Sequence, residues 1–320
     1  MRYLITGGAG FIGSTLAETL LKKNQEVCII DDLSTGRFEN ILPLKLYAPH
    51  FSYHIESIFS PVLAELIDYA DVVFHLAAAV GVRLVVSHPV ETLETNIRGT
   101  ERVLALARKK KKKILIASTS EVYGKSDQIP YREDSDLVFG PTTNSRWSYA
   151  CSKVIDEFLA LAYYRKEQLP IVIFRLFNTV GPKQVGNYGM VIPTFIQQAL
   201  NGGPIIVYGD GSQTRCFAYI DDVVWALRHL ANEEKAVGEI FNIGSTEETS
   251  IVQLAQKIRQ KIDPNLSIVF KPYEDAYEKG FEDMKRRIPS IDKISHCIGY
   301  NPVHSLDQIL EKTIAHFKTL

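Results

Sequence analysis

The stretch TGGAGFIG (6–13) lies between an apolar run, YLIT (3–6), and a segment, residues 12–23, whose Leu16, Leu20 and Leu21 fall on one helical face. Its glycines, Gly7, Gly10 and Gly13, are spaced GxxGxxG rather than the more usual GxGxxG. The mechanics carry over. Gly7 permits a tight turn out of a strand, Gly10 lets backbone approach a pyrophosphate, and Gly13 lets the following helix pack closely. With Phe11 and Ile12 the turn opens a helix, whose N–H groups and dipole favour an anion. The next apolar run, VCII (27–30), ends in an acid, Asp31, 18 positions after Gly13. A carboxylate there accepts hydrogen bonds from the adenosine ribose hydroxyls and repels a 2′-phosphate, which predicts NAD rather than NADP. Asp32, Ser34, Thr35 and Gly36 form the adjoining loop, DDLSTG (31–36), with a turn-capping role as the alternative for Asp32.

Outward from this turn, short apolar runs alternate with longer helical patterns. VVFHLA (72–77), ILIAS (114–118) and IVIFRL (171–176) read as strands, and residues 92–110 and 150–166 as helices. Continuous apolar strands separated by helices predict a parallel sheet covered on both faces and joined by right-handed crossovers. The expected fold is α/β: a doubly wound parallel sheet (Rossmann) with a smaller, interleaved C-terminal substrate domain. Glycine and proline punctuate the chain after about residue 176, and IFNIG (240–244) reads as a strand returning to the main sheet. Residues 1–176, with about 217–262, are expected to carry NAD. Residues 177–216 and 263–320 are expected to carry the substrate.

Composition removes other classes. The 320 residues carry a formal net charge of −1, with no balance favouring nucleic acid or an acidic membrane. The one basic run, RKKKKK (108–113), has no aromatic residues interleaved and reads as the solvated end of a helix. No apolar stretch is long enough to span a membrane, and the strand-like opening RYLITGG (2–8) leads to the expectation of no secretory leader. Cys28, Cys151, Cys216 and Cys297 are far apart, and the eight histidines lack ligand spacing. The expectation is a cytoplasmic, metal-free protein.

YACSK (149–153) sets Tyr149 and Lys153 four apart, on one helical face. An ammonium beside a tyrosine stabilises its phenolate and makes it a base near neutral pH. Ser118, Thr119 and Ser120 end the preceding strand, where a hydroxyl can hold a substrate alcohol. TGGAGFIG, DDLSTG, DVVFHLAA, NIRGT, STSEVYG, YACSK, RLFNTVGPKQ and SQTRCFAYIDD occur in the order of one family's motifs. In them the chain resembles, nearly end to end, the NAD-dependent nucleotide-sugar branch of the extended short-chain dehydrogenase/reductases.

The resemblance implies tightly bound NAD, regenerated in each cycle, and a UDP-sugar oxidised at carbon 4. It places Leu76, Ala77, Ala78, Asn96 and Ser118 with Tyr149 and Lys153 at NAD. It places Asn178, Val191, Tyr208, Arg215 and Arg287 at the UDP-sugar, Arg215 on the diphosphate; an ion pair with Asp221 or Asp222 is the alternative for Arg215. It also implies a homodimer through the helices near 92–110 and 149–166.

Glu121, in STSEVYG (118–124), bears on the reaction. Plain UDP-glucose 4-epimerases usually carry an uncharged residue there. Sugar 4,6-dehydratases carry an aspartate before that glutamate, whereas this chain has Ser120. UDP-glucuronate decarboxylases resemble the chain in TSE, in RWSYACSK and in GFEDMKRRIPSIDKI (280–294), where Arg287 matches an arginine they use as a proton donor. The catalytic set expected is therefore Tyr149, Lys153, Thr119, Ser120, Glu121 and Arg287. A UDP-sugar 4-epimerase acting on UDP-glucuronate/UDP-galacturonate or UDP-glucose/UDP-galactose is expected first, and a UDP-glucuronate decarboxylase is its alternative. A dehydratase and an inactive NAD-binding scaffold rank behind both.

Overall fold

A computed structural model describes residues 1–81, 88–145, 147–186, 190–272 and 284–319. Arg146 and residues 280–283, which belong to two of the motifs above, lie outside the described residues. Seven parallel strands form the main sheet: β1 (Arg2–Thr6), β2 (Glu26–Ile30), β3 (Phe51–His54), β4 (Val72–His75), β5 (Lys113–Thr119), β6 (Ile171–Leu176) and β7 (Ile240–Ile243). Their order is β3-β2-β1-β4-β5-β6-β7. The order reverses beside β1, and a crevice opens beyond the strand ends there, the usual ligand site of such sheets.

Side chains alternate between the two faces of the sheet, and each face is covered. Tyr3, Ile5, Phe74, Leu115 and Phe174 join one buried cluster; Leu4, Val73, Ile114, Ile116 and Ile173 join the other. On the first face α1 (Phe11–Leu21) buries Leu16, Leu20 and Leu21 and packs beside the helix Ile220–Asn232. On the second face lie α2 (Val62–Tyr69), α3 (Pro89–Ala107) and α4 (Trp147–Glu167), with α3 against α4.

β3 and α2 were not anticipated. Only Phe51 of β3 is buried, so this edge strand lacks an apolar run. β4 stops at His75, two residues short of expectation, because Ala77 N donates to the Thr6 side chain rather than to a strand neighbour. α3 begins three residues early, at Pro89, a residue suited to the first helical position. The basic run forms a short 3₁₀ turn, Arg108–Lys110, closed by Lys111 at φ +49°. There Lys110 pairs with Asp68 at 2.8 Å.

Three two-stranded ribbons stand outside the sheet: Thr179–Val180 with Ala218–Tyr219, Ile205–Tyr208 with Ile268–Lys271, and Thr214–Cys216 with Glu248–Ser250. The helix Ile251–Ile262 packs on the helix Val191–Leu200 and on Ile205–Tyr208.

Candidate active site

A cavity of about 1010 Å³ runs along the C-terminal ends of the strands. Backbone builds its first half. Gly7 turns the chain out of β1 at φ +71°, where a Cβ would stand 2.7 Å from Ala77 N. A Cβ on Gly13 would stand 2.3 Å from the Gly7 carbonyl oxygen. α1 starts behind Gly10 with no side-chain cap, and Gly10, Phe11, Ile12 and Gly13 all line the cavity. The first-turn N–H groups are thus presented to a ligand rather than to a capping side chain.

Asp31 is buried at the rim. Its Oδ2 accepts Ala9 N–H at 2.9 Å, and its Oδ1 accepts Leu33 N–H at 2.8 Å. Burial pushes its carboxyl up, and the two N–H groups oppose that. Each carboxylate oxygen retains acceptor capacity for a ribose hydroxyl. Asp32 accepts Ser34 N–H at 3.0 Å, the turn-capping alternative, while also lining the cavity. Ser34, Thr35, Leu76, Ala77, Ala78 and Ser118 line it as well.

Two further residues expected at NAD contact other residues of the site. Gly36 is held close to Asp31, where a Cβ would come within 2.6 Å of Oδ1. Asn96 is buried and anchors the loop after β4, accepting Ala79 N–H at 2.8 Å. Its Nδ2 also donates to Ala79 O at 3.3 Å, so two bonds tie it to that loop. A close-approach turn, an uncapped helix start and a rim carboxylate together fit an adenine dinucleotide.

Side chains build the second half. Tyr149 and Lys153 line the cavity from one face of α4, with Thr119, Ser120 and Glu121 at the end of β5. Thr119 Oγ1 accepts Glu121 N–H at 3.2 Å, capping the turn Ser120–Tyr123. Arg287 arrives from far along the chain. Tyr131 N donates to Ile288 O at 2.8 Å, and Ser290 N donates to Tyr131 O at 2.8 Å. Tyr131 in turn stacks on Tyr123, with ring centroids 4.5 Å apart. So fixed, Arg287 Nη1 lies 4.0 Å from Glu121 Oε1 and 3.4 Å from Ser120 Oγ, all three residues mostly buried. An arginine and a glutamate thus share the mouth of β5 with two hydroxyls.

Asn178, Val191, Tyr208 and Arg215 line the far end. Asn178 Nδ2 donates to Cys216 O at 2.9 Å. Arg215 Nη1 donates to Thr214 O and Met284 O, at 2.7 and 2.8 Å, which steadies the start of the Arg287 segment. Of the acids offered as its alternative partners, Asp222 instead holds His304 Nδ1 at 3.0 Å.

Sequence reasoning missed Asp156, which holds Lys153 Nζ at 2.8 Å, and the buried pair Glu157–Arg175, also at 2.8 Å. The i,i+3 spacing of Lys153 and Asp156 was a visible signal. His75 was hidden inside a strand; burial pushes its imidazole down to about 3, so it is neutral.

Residues 3–244 match the NAD dependent epimerase/dehydratase family. The chain belongs to that family. NAD is accordingly its cofactor. The chain is 44% identical over 320 residues to a UDP-N-acetyl-α-D-glucosaminuronate decarboxylase of Bacillus cytotoxicus, covering 100% of this chain and 98% of that one. It is 36% identical over 319 residues to UDP-glucuronic acid decarboxylase 1 of Xenopus tropicalis, covering 99% of this chain and 72% of that one. In structure it is similar to the UDP-glucuronic acid 4-epimerase of Bacillus cereus, solved with UDP-glucuronic acid and NAD. The TM-score is 0.89 at 32% identity, over 100% of this chain and 99% of that one. These relatives establish an NAD-dependent enzyme family acting on UDP-sugars, with both decarboxylases and epimerases among its members.

Proposed function

We propose that the protein decarboxylates a UDP-hexuronate, with UDP-N-acetyl-α-D-glucosaminuronate the first substrate to test. The observation that carries this is Arg287 beside Glu121 and Ser120 at the mouth of β5, in the cavity that Tyr149 also lines. A cation placed there suits a substrate carboxylate, and the decarboxylase relatives at 44% and 36% identity support the reading. Epimerisation, expected first from sequence, becomes the second reading, favoured by the likeness to the Bacillus cereus epimerase.

Tyr149, as phenolate beside the Lys153 ammonium, takes the proton of the sugar 4-hydroxyl while Thr119 and Ser120 orient that oxygen. When bound, NAD would take a hydride from carbon 4 and give it back to carbon 4 after CO₂ has left, so that the cofactor is regenerated and the product is lighter by CO₂ alone. The uronate is then a β-keto acid. Its bond between carbon 5 and the carboxyl carbon breaks, CO₂ leaves, and the electron pair passes into an enolate on the carbon 4 oxygen. Tyr149, now protonated, donates to that oxygen. Arg287, with Glu121 beside it, governs delivery of a proton to carbon 5.

Residues 1–176 with about 217–250 would carry NAD, and the remainder the UDP-sugar; packing of the helix Ile251–Ile262 on Val191–Leu200 supports grouping that helix with the second part rather than the first, where the sequence had it. A homodimer fits the exposed apolar stripe of α4, where Ile155 is 45% and Phe158 67% exposed. Sedimentation showing only monomer would overturn that part.

The test of the reaction is incubation of the purified protein with each UDP-uronate and with UDP-glucose, without added NAD, followed by mass spectrometry and proton NMR. A product lighter by one CO₂ is expected from a uronate. A product of unchanged mass with an inverted carbon 4 proton would replace this reading with epimerisation.

A further inference from the structure

A chain of buried polar groups runs between the sheet and helices α3 and α4, and apart from Lys153 the reaction as described leaves it without a role. Lys153 Nζ lies 2.8 Å from Asp156 Oδ2, with side chains 4% and 1% exposed. Asn96 Nδ2 donates to Ser152 Oγ at 3.2 Å, and one turn further along the same two helices Thr100 of α3 helps to lower the carboxyl of Asp156 of α4. Thr100 Oγ1 is 3.2 Å from His75 Nε2. On the other side of the ring His75 Nδ1 is 2.8 Å from Thr6 Oγ1, and Thr6 Oγ1 accepts Ala77 N–H at 3.2 Å. Thr6, His75, Thr100, Lys153 and Asp156 are all buried.

Donor counting gives this chain a direction. His75 is neutral, with one ring N–H and one acceptor nitrogen. Burial holds the Asp156 carboxyl above its ordinary range, and Lys153 and then Thr100 oppose that rise without cancelling it. For the Thr100 hydroxyl to give its proton to Asp156, His75 Nε2–H must donate to Thr100. His75 Nδ1 then accepts from the Thr6 hydroxyl. The bonds from Ala77 N–H to the Thr100 hydroxyl then run toward Asp156, whose Oδ2 the Lys153 ammonium holds from the other side.

We propose that Asp156 is a positioning residue that holds the Lys153 ammonium in place and moderates the positive charge Lys153 presents to Tyr149. The proposal rests on the reading of Tyr149 and Lys153 as the catalytic pair. An ammonium with no counter-charge would over-stabilise the phenolate, and a phenolate held too firmly is a poor base. A buried carboxylate in contact with the ammonium takes back part of that field. Other charged groups around this end of α4 are already engaged. Glu157 binds Arg175 through two bonds, of 3.0 and 2.8 Å, and Glu121 faces Arg287. His75 is neutral. The chain's far end, Ala77 N, abuts Gly7, so it also ties the lysine to the dinucleotide turn.

Asp156→Asn keeps the shape and removes the charge. The NAD-loaded variant is titrated by tyrosinate ultraviolet difference absorbance against the same protein carrying Tyr149→Phe, and the pH profile of turnover is recorded beside it. The expected result is a fall of roughly one pH unit or more in both the Tyr149 titration and the acid limb of the profile. Asp156→Ser, which also removes the charge, is expected to move both the same way, and it carries the test if Asp156→Asn fails to fold. A titration coincident with the parent protein's, in a folded variant of lowered melting temperature, would leave Asp156 a structural residue only and overturn the proposal. The dependence on the catalytic reading is separable. Near-normal turnover in Tyr149→Phe sinks that reading, whereas the absorbance titration reports the effect of Asp156 on Tyr149 whatever the substrate.

Discussion

The two halves of the cavity are made of different material. The dinucleotide half is backbone: a positive-φ turn, an uncapped helix start and glycines whose Cβ atoms would collide with neighbouring main chain. The reacting half is side chain, drawn from β5, α4 and a segment that returns near the end of the chain. Backbone sites fix shape and tolerate most changes outside the glycines. Side-chain sites fix charge and fail when one functional group is lost. Substitutions in the two halves therefore separate by kind as well as size.

Tyr149→Phe should show the largest effect. It removes one oxygen and leaves the packing of α4 in place, so the variant should fold and retain NAD. Turnover should fall about 10³-fold, within the range for loss of a positioned general base. Activity within tenfold of the parent would show that chemistry in the second half does not run through Tyr149.

Glu121→Gln comes next and asks what the charge at the mouth of β5 is for. If Glu121 works with Arg287 on a carboxylate, the isosteric change should cost about 10²-fold on a UDP-uronate and a few-fold or less on any neutral UDP-hexose turned over. Equal, small losses on both substrates would reduce Glu121 to a residue that ends a strand.

Gly13→Ala probes the backbone half. Its Cβ would meet the Gly7 carbonyl oxygen at 2.3 Å and Gly8 Cα at 2.8 Å, so main chain must move. Overpacking of this sort costs about 1–3 kcal/mol. The loss should appear as weaker NAD retention, by roughly tenfold to a hundredfold, measured as cofactor recovered with the purified protein. NAD content equal to the parent's would mean that the turn has more slack than these distances allow.

The contrast between the halves also governs what the sequence disclosed. TGGAGFIG, the acid after VCII and the apolar strands are local signals, and they led to β1, β2, β4, β5, β6 and β7. β3 was missed because an edge strand with one buried residue carries no run of apolar positions. In the reacting half, Tyr149 and Lys153 were visible as neighbours on one helix. The meeting of Glu121 with Arg287, 166 positions apart, came from family likeness, and no periodicity predicts it. Gly36 and Asn96 show the opposite limit. Both sit inside legible motifs, and their contacts, the one with Asp31 and the other with Ala79, were not legible there. A motif marks a neighbourhood; side-chain direction decides which members reach the ligand.

The smallest expected effect concerns the junction of the halves, where His75 joins Thr6 of the dinucleotide strand to Thr100 near Lys153. Burial holds its imidazole at about 3 in the folded protein, against an ordinary value of 6.5. The folded state therefore binds this proton less readily than the unfolded chain. Its contribution to stability is fully present above pH 6.5 and declines as pH falls toward 3, by about 1.4 kcal/mol per pH unit. Carboxylates add slopes of their own, so the informative quantity is a difference. Denaturant midpoints of the parent and of His75→Asn, measured at fixed NAD from pH 7 to pH 4, should converge as the pH drops, because asparagine has no proton to gain. The variant should be less stable at neutral pH, having lost ring contacts, and should lose less on acidification. Parallel curves would mean that the ring is protonated as readily in the fold as in water. The neutral ring on which the direction of the hydrogen-bond chain to Asp156 depends would then be lost.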